Sequence, residues 1–367
     1  MMNCLSPIDG NSYRYSRLIG TGGIGSGMVF NLDGNHTIGR NESRGGKLMP
    51  FKDYCKLHII THYPTVLLGG GKRGFSSYPI GNVGCDDAGT ELLKEMKNAG
   101  MNTAGVSQIA DEPTLFSVCF QYPDKSGGNI TTSNSAADLV SKEDIDAFFE
   151  NMPVDGENEI ILSVPEVPLA PRIRILEHGR KRGSLNICSV LSGEASGFVS
   201  DGGIKLVDLL AINIDEAIAI VGGNAENLTT GEIAQKCANR LMEDNPDIML
   251  IVTSGAEGCY TWHQGRLEHT PVFTESKDVV STAGAGDALL GGVIAGLACG
   301  LRLTKGHSDK KFGSTPLTSA VELGNLVSNL KVTTPDTIYH QLNAKMLYEV
   351  CSSLNFRLSS EFKAMFA

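Results

Sequence analysis

Short apolar runs alternate with longer helical patterns through most of the chain, and the alternation itself predicts the fold. Strands are expected at Arg17–Gly22, Tyr78–Val83, Glu159–Pro165, Leu185–Leu191, Leu206–Ile212 and Ile248–Ser254, where β-forming residues end in Gly, Pro or polar turn residues. Helices are expected at Asp87–Asn98, Ser141–Asn151, Thr230–Glu243, Asp287–Cys299 and Pro316–Asn329, most opened by Asp, Ser or Thr and several closed by Gly. Strands separated by helices predict an α/β fold with a mostly parallel central sheet.

Two stretches break this rhythm. Residues 113–132, where Leu115–Tyr122 runs into Pro123-Asp-Lys-Ser-Gly-Gly128, read as an antiparallel hairpin, and residues 28–44 read as its partner strands. Together they predict a small separate sheet, either a lid over a cleft or a peripheral structural hairpin. Leu48–Val66 is partly helix-like, with His58 and His62 on one face; no third ligand stands at a familiar spacing, so a zinc site is not expected. The polar segment Thr304–Thr315, which contains His307-Ser-Asp-Lys-Lys311, reads as a surface loop.

Composition narrows the function. A chain of 367 residues, 41% hydrophobic and 20% charged, supports one large α/β domain or two smaller ones. Its net charge of -10 argues against nucleic acid or an anionic membrane as partner. Nine scattered cysteines without a C-x-x-C pair fit a reducing cytoplasm. Met1–Tyr15 lacks the apolar core of a secretory signal, and the longest apolar stretch, Ala288–Leu301, falls short of the ~20 residues of a membrane span. The expectation is a soluble cytoplasmic protein acting on a small molecule.

The strongest chemical signal is Val279-Val-Ser-Thr-Ala-Gly-Ala-Gly-Asp-Ala-Leu-Leu-Gly-Gly292. Gly284, Ala285 and Gly286 place small residues where amides at a helix start can approach an anion. Asp287, in the first turn, is placed to take the proton of an attacking hydroxyl, the general-base task in phosphoryl transfer to an alcohol. A helix cap alone would also explain that aspartate. Asn213 and Glu216, spaced by three at a strand-to-helix junction, can face one cleft as oxygen ligands for a hydrated Mg²⁺, or can simply form a capping box.

The whole string Ser281-Thr-Ala-Gly-Ala-Gly-Asp287 resembles the Asp-Thr-x-Gly-Ala-Gly-Asp signature of ribokinase-type (PfkB) carbohydrate kinases, departing from it only at Ser281. Asn213-x-x-Glu216 resembles the same family's Asn-x-x-Glu element, and Val252-Thr-Ser-Gly-Ala-Glu-Gly258 its Val-Thr-x-Gly-x-x-Gly segment. The resemblance implies a three-layer αβα sandwich with a small β lid over residues 16–334, flanked by an N-terminal tail (1–15) and a C-terminal helical extension (335–367). It implies Asp287 as base, the Gly284–Asp287 amides as anion hole, and Asn213 and Glu216 as the Mg²⁺ and phosphate pair. Thr253, Ser254, Gly255, Gly258 and Thr282 become ATP contacts. Arg44-Gly-Gly-Lys47 resembles the family's Gly-Gly approach to the sugar, which makes Gly45, Gly46 and Lys47 substrate contacts. Pro50 stands roughly where the family has Asn, and Gly22–Gly27 where it has a substrate-binding Asp, so the acceptor is the least defined part. Free lid edges are compatible with a homodimer.

Two rivals remain at this stage. Gly20-Thr-Gly-Gly-Ile-Gly25 satisfies the dinucleotide fingerprint of an NAD(P)-binding oxidoreductase, although the following residues look extended rather than helical. A sugar- or nucleotide-binding regulatory protein on the kinase fold is the other.

Overall fold

Neighbouring residues on each core strand point into different cores. Leu18 and Leu162 belong to one buried cluster and Ile19 and Ile161 to another, as the two-residue period of a strand requires. The computed structural model describes residues 3–124, 126–223, 225, 227–273, 278–305 and 314–367, so the expectation for His307–Lys311 lies outside the described residues.

Strands are β1 (Arg17–Thr21), β2 (Gly25–Leu32), β3 (Gly46–Tyr54), β4 (Ser76–Gly84), β5 (Gly105–Ile109), β6 (Leu115–Gln121), β7 (Gly127–Thr131), β8 (Glu159–Ser163), β9 (Leu185–Cys188), β10 (Leu209–Asn213), β11 (Met249–Thr253), β12 (Cys259–His263) and β13 (Arg266–Thr270). Helices are α1 (Lys56–Leu67), α2 (Asp87–Ala99), α3 (Lys142–Glu150), α4 (Leu169–Arg182), α5 (Ser192–Ser200), α6 (Ile214–Val221), α7 (Thr230–Met242), α8 (Ala285–Cys299), α9 (Ala320–Lys331), α10 (Ala344–Ser353) and α11 (Ser360–Ala364).

A nine-stranded sheet runs β13-β12-β11-β10-β9-β8-β1-β4-β5. It is parallel from β5 to β11, and β12 and β13 close it antiparallel. Helices α1, α2 and α8–α11 bury their apolar faces in one cluster and α3–α7 in the other, which gives the expected αβα sandwich. The Gly-rich stretch after Asp287 is a buried helix, as its composition predicts. A Cβ on Gly292 of α8 would lie 2.7 Å from Gly324 Cα of α9, and one on Gly324 would lie 2.5 Å from the Leu289 carbonyl oxygen. The two helices therefore touch backbone to backbone, and an added methyl there would overpack the contact at about 1–3 kcal/mol.

The small sheet stands apart in the order β3-β2-β6-β7, with β2 and β6 parallel and the outer pairs antiparallel. The 115–131 hairpin is therefore as expected. Two details differ. Residues 46–54, part of which looked helical, form the edge strand β3, and α1 begins only at Lys56. Pro50 is tolerated there because an edge strand has one side without ladder partners. The oxidoreductase reading fails on topology: β1 leads directly into β2, where a dinucleotide fold needs a helix. Those glycines answer to packing, since a Cβ would lie 2.3 Å from Val164 Cγ2 at Gly22 and 2.4 Å from Glu166 Cβ at Gly23.

Both chain ends join the main core. Leu5 shares a cluster with Leu347, Cys351, Phe362, Met365 and Phe366, all buried.

Candidate active site

The chain enters α8 through a left-handed residue. Gly284 has φ of +74°, and a Cβ there would sit 2.6 Å from the Thr337 carbonyl oxygen, so both conformation and space require glycine. The Ala285 N–H donates to the Thr282 carbonyl at 3.1 Å. The amides of Gly286 and Asp287 are the next that helix geometry leaves without an intrahelical partner, at the positive end of the dipole. Of the amides expected over Gly284–Asp287 as an anion hole, that of Ala285 is therefore already engaged.

Asp287 meets a residue from the other end of the chain. Lys56, the first residue of α1, brings its Nζ within 3.4 Å of Asp287 Oδ1. The Asp287 charge holds the Lys56 ammonium well above its ordinary range against the opposing effect of burial, and Glu216 and Glu166 add to it. Glu166 follows β8 with φ of +75°, and its Oε2 accepts from the Lys56 backbone N–H at 3.0 Å. Burial pushes its carboxyl up to about 7, against the pull of Lys56.

Asn213 ends β10 and caps α6. Its N–H donates to Glu216 Oε2 at 2.8 Å, and its Oδ1 accepts from the Glu216 N–H at 2.9 Å. The capping box is thus real, yet Glu216 also lines the cavity beside Asp287. Burial raises its carboxyl above the ordinary value. Among the described residues no group of three or more His, Cys, Asp or Glu is arranged to hold a metal ion.

Two cavities meet here. One of about 200 Å³ is lined by Lys56, Asn213, Glu216, Thr282 and Gly284–Asp287. The other, about 550 Å³, has Val272, Val279 and Val332 as apolar walls and Asn325 and Asn329 as amides. They share Thr253, Thr282, Ala285, Gly286 and Leu289. Gly255 and Gly258 line the larger one, and Gly258, at φ +96°, has no room for a Cβ beside the Thr270 carbonyl oxygen. Ser254 lines neither; its hydroxyl lies 3.5 Å from that of Thr230 on α7. Gly45, Gly46 and Lys47 also line neither and lie exposed at the start of β3.

Lys56 and Glu166 were not legible as site residues. Lys56 belongs to no motif. Glu166 carried a faint signal, as the one charge in Val164-Pro-Glu-Val-Pro168 after a buried strand.

This sandwich with a small separate sheet has the fold of solved kinases. The structure is similar to a Burkholderia thailandensis nucleoside kinase in complex with inosine, at 17% identity, 93% coverage of this chain, 99% of that chain and a TM-score of 0.69. It is similar to a Giardia lamblia ribokinase at 12% identity, 91% and 99% coverage and a TM-score of 0.73. An Arabidopsis thaliana ribokinase complexed with ribose and ATP matches at 17% identity, 92% and 98% coverage and a TM-score of 0.63. The model of the pfkB family carbohydrate kinases matches residues 66–344, and the chain belongs to that family. No helix among the described residues is long and apolar enough to cross a membrane.

Proposed function

We propose that the protein transfers the γ-phosphoryl group of ATP to a hydroxyl of a sugar or sugar-like molecule, with Asp287 as general base. The observation that carries this reading is the position of Asp287: third residue of α8, on the wall of a small polar cavity that adjoins a larger, partly apolar one. The larger cavity suits a purine, with Gly255 and Gly258 beneath it. Thr253 and Thr282 stand where phosphates would cross into the smaller. There the Gly286 and Asp287 amides donate to the transferring group, and Asp287 takes the hydroxyl proton. Lys56, on the wall of the smaller cavity, meets the acceptor, and Glu166 holds the start of α1 through the Lys56 N–H; Gly45, Gly46 and Lys47 line neither cavity.

Glu216 fits a Mg²⁺ role on its chemistry: a buried carboxylate, oriented by Asn213, with one oxygen outside the capping box and a charge that burial disfavours. Mg²⁺ bound there would offset phosphate charge. A cytoplasmic location and a homodimer through the lid edges complete the reading.

The test is Mg·ATP consumption against a panel of ketoses, aldoses, sugar acids, cyclitols and nucleosides, beside Asp287→Asn. Stimulation by one class, reduced by about 10²–10⁴-fold in the variant while ATP binding persists, is expected. Full turnover in Asp287→Asn would remove the base assignment. Ligand binding without turnover in the wild type would favour the regulatory protein instead.

A further inference from the structure

Lys331, the last residue of α9, is fully buried. Its Nζ donates to the Ser281 carbonyl at 3.1 Å, and among the described residues no carboxylate lies in ion-pair contact with it. A buried ammonium with one acceptor for three N–H groups is expensive to keep, and an apolar side chain of similar length would fill the space at lower cost. Its surroundings indicate a use. The backbone N–H groups of Val280 and Ser281 donate to the Val332 carbonyl at 2.7 and 3.2 Å, so the end of α9 grips the segment leading into the α8 turn. Further along, Gly284 packs on the Thr337 carbonyl. The turn that presents Gly286 and Asp287 therefore rests on residues 331–337. Ser281, the single departure from the family signature, supplies the accepting carbonyl and places no carboxylate there to cancel the ammonium.

We propose that Lys331 is a positioning residue for phosphoryl transfer: a resident cation behind the anion-binding turn that fixes the Ser281 peptide and favours the negative charge gathering at the Gly286 and Asp287 amides. This rests on the reading of the α8 turn as the phosphoryl site. The groups facing the ammonium are Asp336 after α9, Asp53 near the end of β3, and Asp287 on α8. Burial pushes it down to about 8 and those three carboxylates oppose the shift, so the charge is present at neutral pH and lost above pH 8.

Lys331→Met, which keeps the volume, tests the proposal. It should fold and bind ATP like the wild type while kcat falls by roughly 10–100-fold, less than the ~10²–10³ of losing a direct donor. The wild-type kcat should decline above pH 8 and the variant's should not. Between pH 8 and 10.5 the unfolded lysine holds its proton longer than the folded one, so wild-type stability should rise while activity falls, a pairing that structural damage does not produce. Lys331→Ala should regain turnover with n-propylammonium. An unchanged kcat and pH profile in Lys331→Met, or no rescue of a folded Lys331→Ala, would overturn the role. An arm independent of turnover follows the ¹⁵N–¹H shifts of Gly286 and Asp287. Movement through pH 8 in the wild type but not in Lys331→Met supports the coupling even if no acceptor is phosphorylated, whereas static shifts end it even in an active kinase.

Discussion

Glu166 combines two conditions that a carboxylate ordinarily avoids, a left-handed backbone at φ +75° and burial that raises its carboxyl to about 7. A non-glycine residue there costs on the order of 1–3 kcal/mol and persists only where surroundings fix it. Here the Lys56 N–H holds Oε2, and Gly23 leaves the space, since a Cβ on Gly23 would lie 2.6 Å from that oxygen. The sign of the pH effect follows. The folded value lies above the ordinary 4.5, so the folded state binds the extra proton, and stability present at low pH is lost as pH rises through 7. Relative to Glu166→Gln, which stays neutral, the wild type should lose up to about 1.4 kcal/mol per pH unit between those values. Parallel denaturation curves across pH 4–8 would contradict this. Above pH 7 the charged form should repel incoming phosphates, so KM should climb in the wild type and stay level in the variant.

At the scale of elements, what the sequence shows directly is what local interactions decide. The helices at Lys142 and Thr230 begin where Ser141/Asp144 and Thr229/Glu232 form reciprocal caps, each complete within four residues, whereas α9, expected from Pro316, begins only at Ala320, where Ser319 and Glu322 form the same cap. β3 is different. Its pattern Lys47-Leu-Met-Pro-Phe-Lys-Asp-Tyr54 favours no period, and pairing with β2, through an irregularity between Met28 and Phe30, makes it a strand. Lys56 and Glu166 escape for a related reason: their meaning lies in contacts 231 and 110 residues away along the chain. The helix that follows β3 bears a prediction. His58 and His62 on α1 are buried with no hydrogen-bond partner at any ring nitrogen among the described residues, and burial holds His62 well below its ordinary value and brings His58 down to about 3. Below pH 6.5 the unfolded chain takes up protons that these folded imidazoles refuse, so each histidine removes up to about 1.4 kcal/mol of stability per pH unit as pH falls. His62→Leu should lose less of its urea midpoint between pH 6.5 and 4.5 than the wild type; equal slopes would mean that His62 is protonated in the fold.

At the scale of the whole molecule, the family match stops at residue 344 but the core does not. Phe362, Met365 and Phe366 are buried to 1% exposure or less, the Ser6 N–H donates to the Met365 carbonyl at 2.8 Å, and Leu317 bridges Leu358. The N-terminal segment packs on the same ground, its Ile8 N–H reaching the carbonyl of Cys299 at the end of α8. The helix that carries Asp287 at one end is therefore held at the other by the N-terminal segment, which itself packs on the C-terminal one. Removing residues 355–367 strips those three large apolar side chains from the core, at about 1.5–3 kcal/mol each. The total, roughly 5–9 kcal/mol, is comparable with the whole stability of an ordinary domain. The shortened chain should lose cooperative thermal unfolding and, with it, nucleotide binding at the far end of α8. A truncated protein with an unchanged melting temperature would show that the terminal helices cover the core without holding it, and that the α8 turn is fixed by α9 and the 331–337 segment alone.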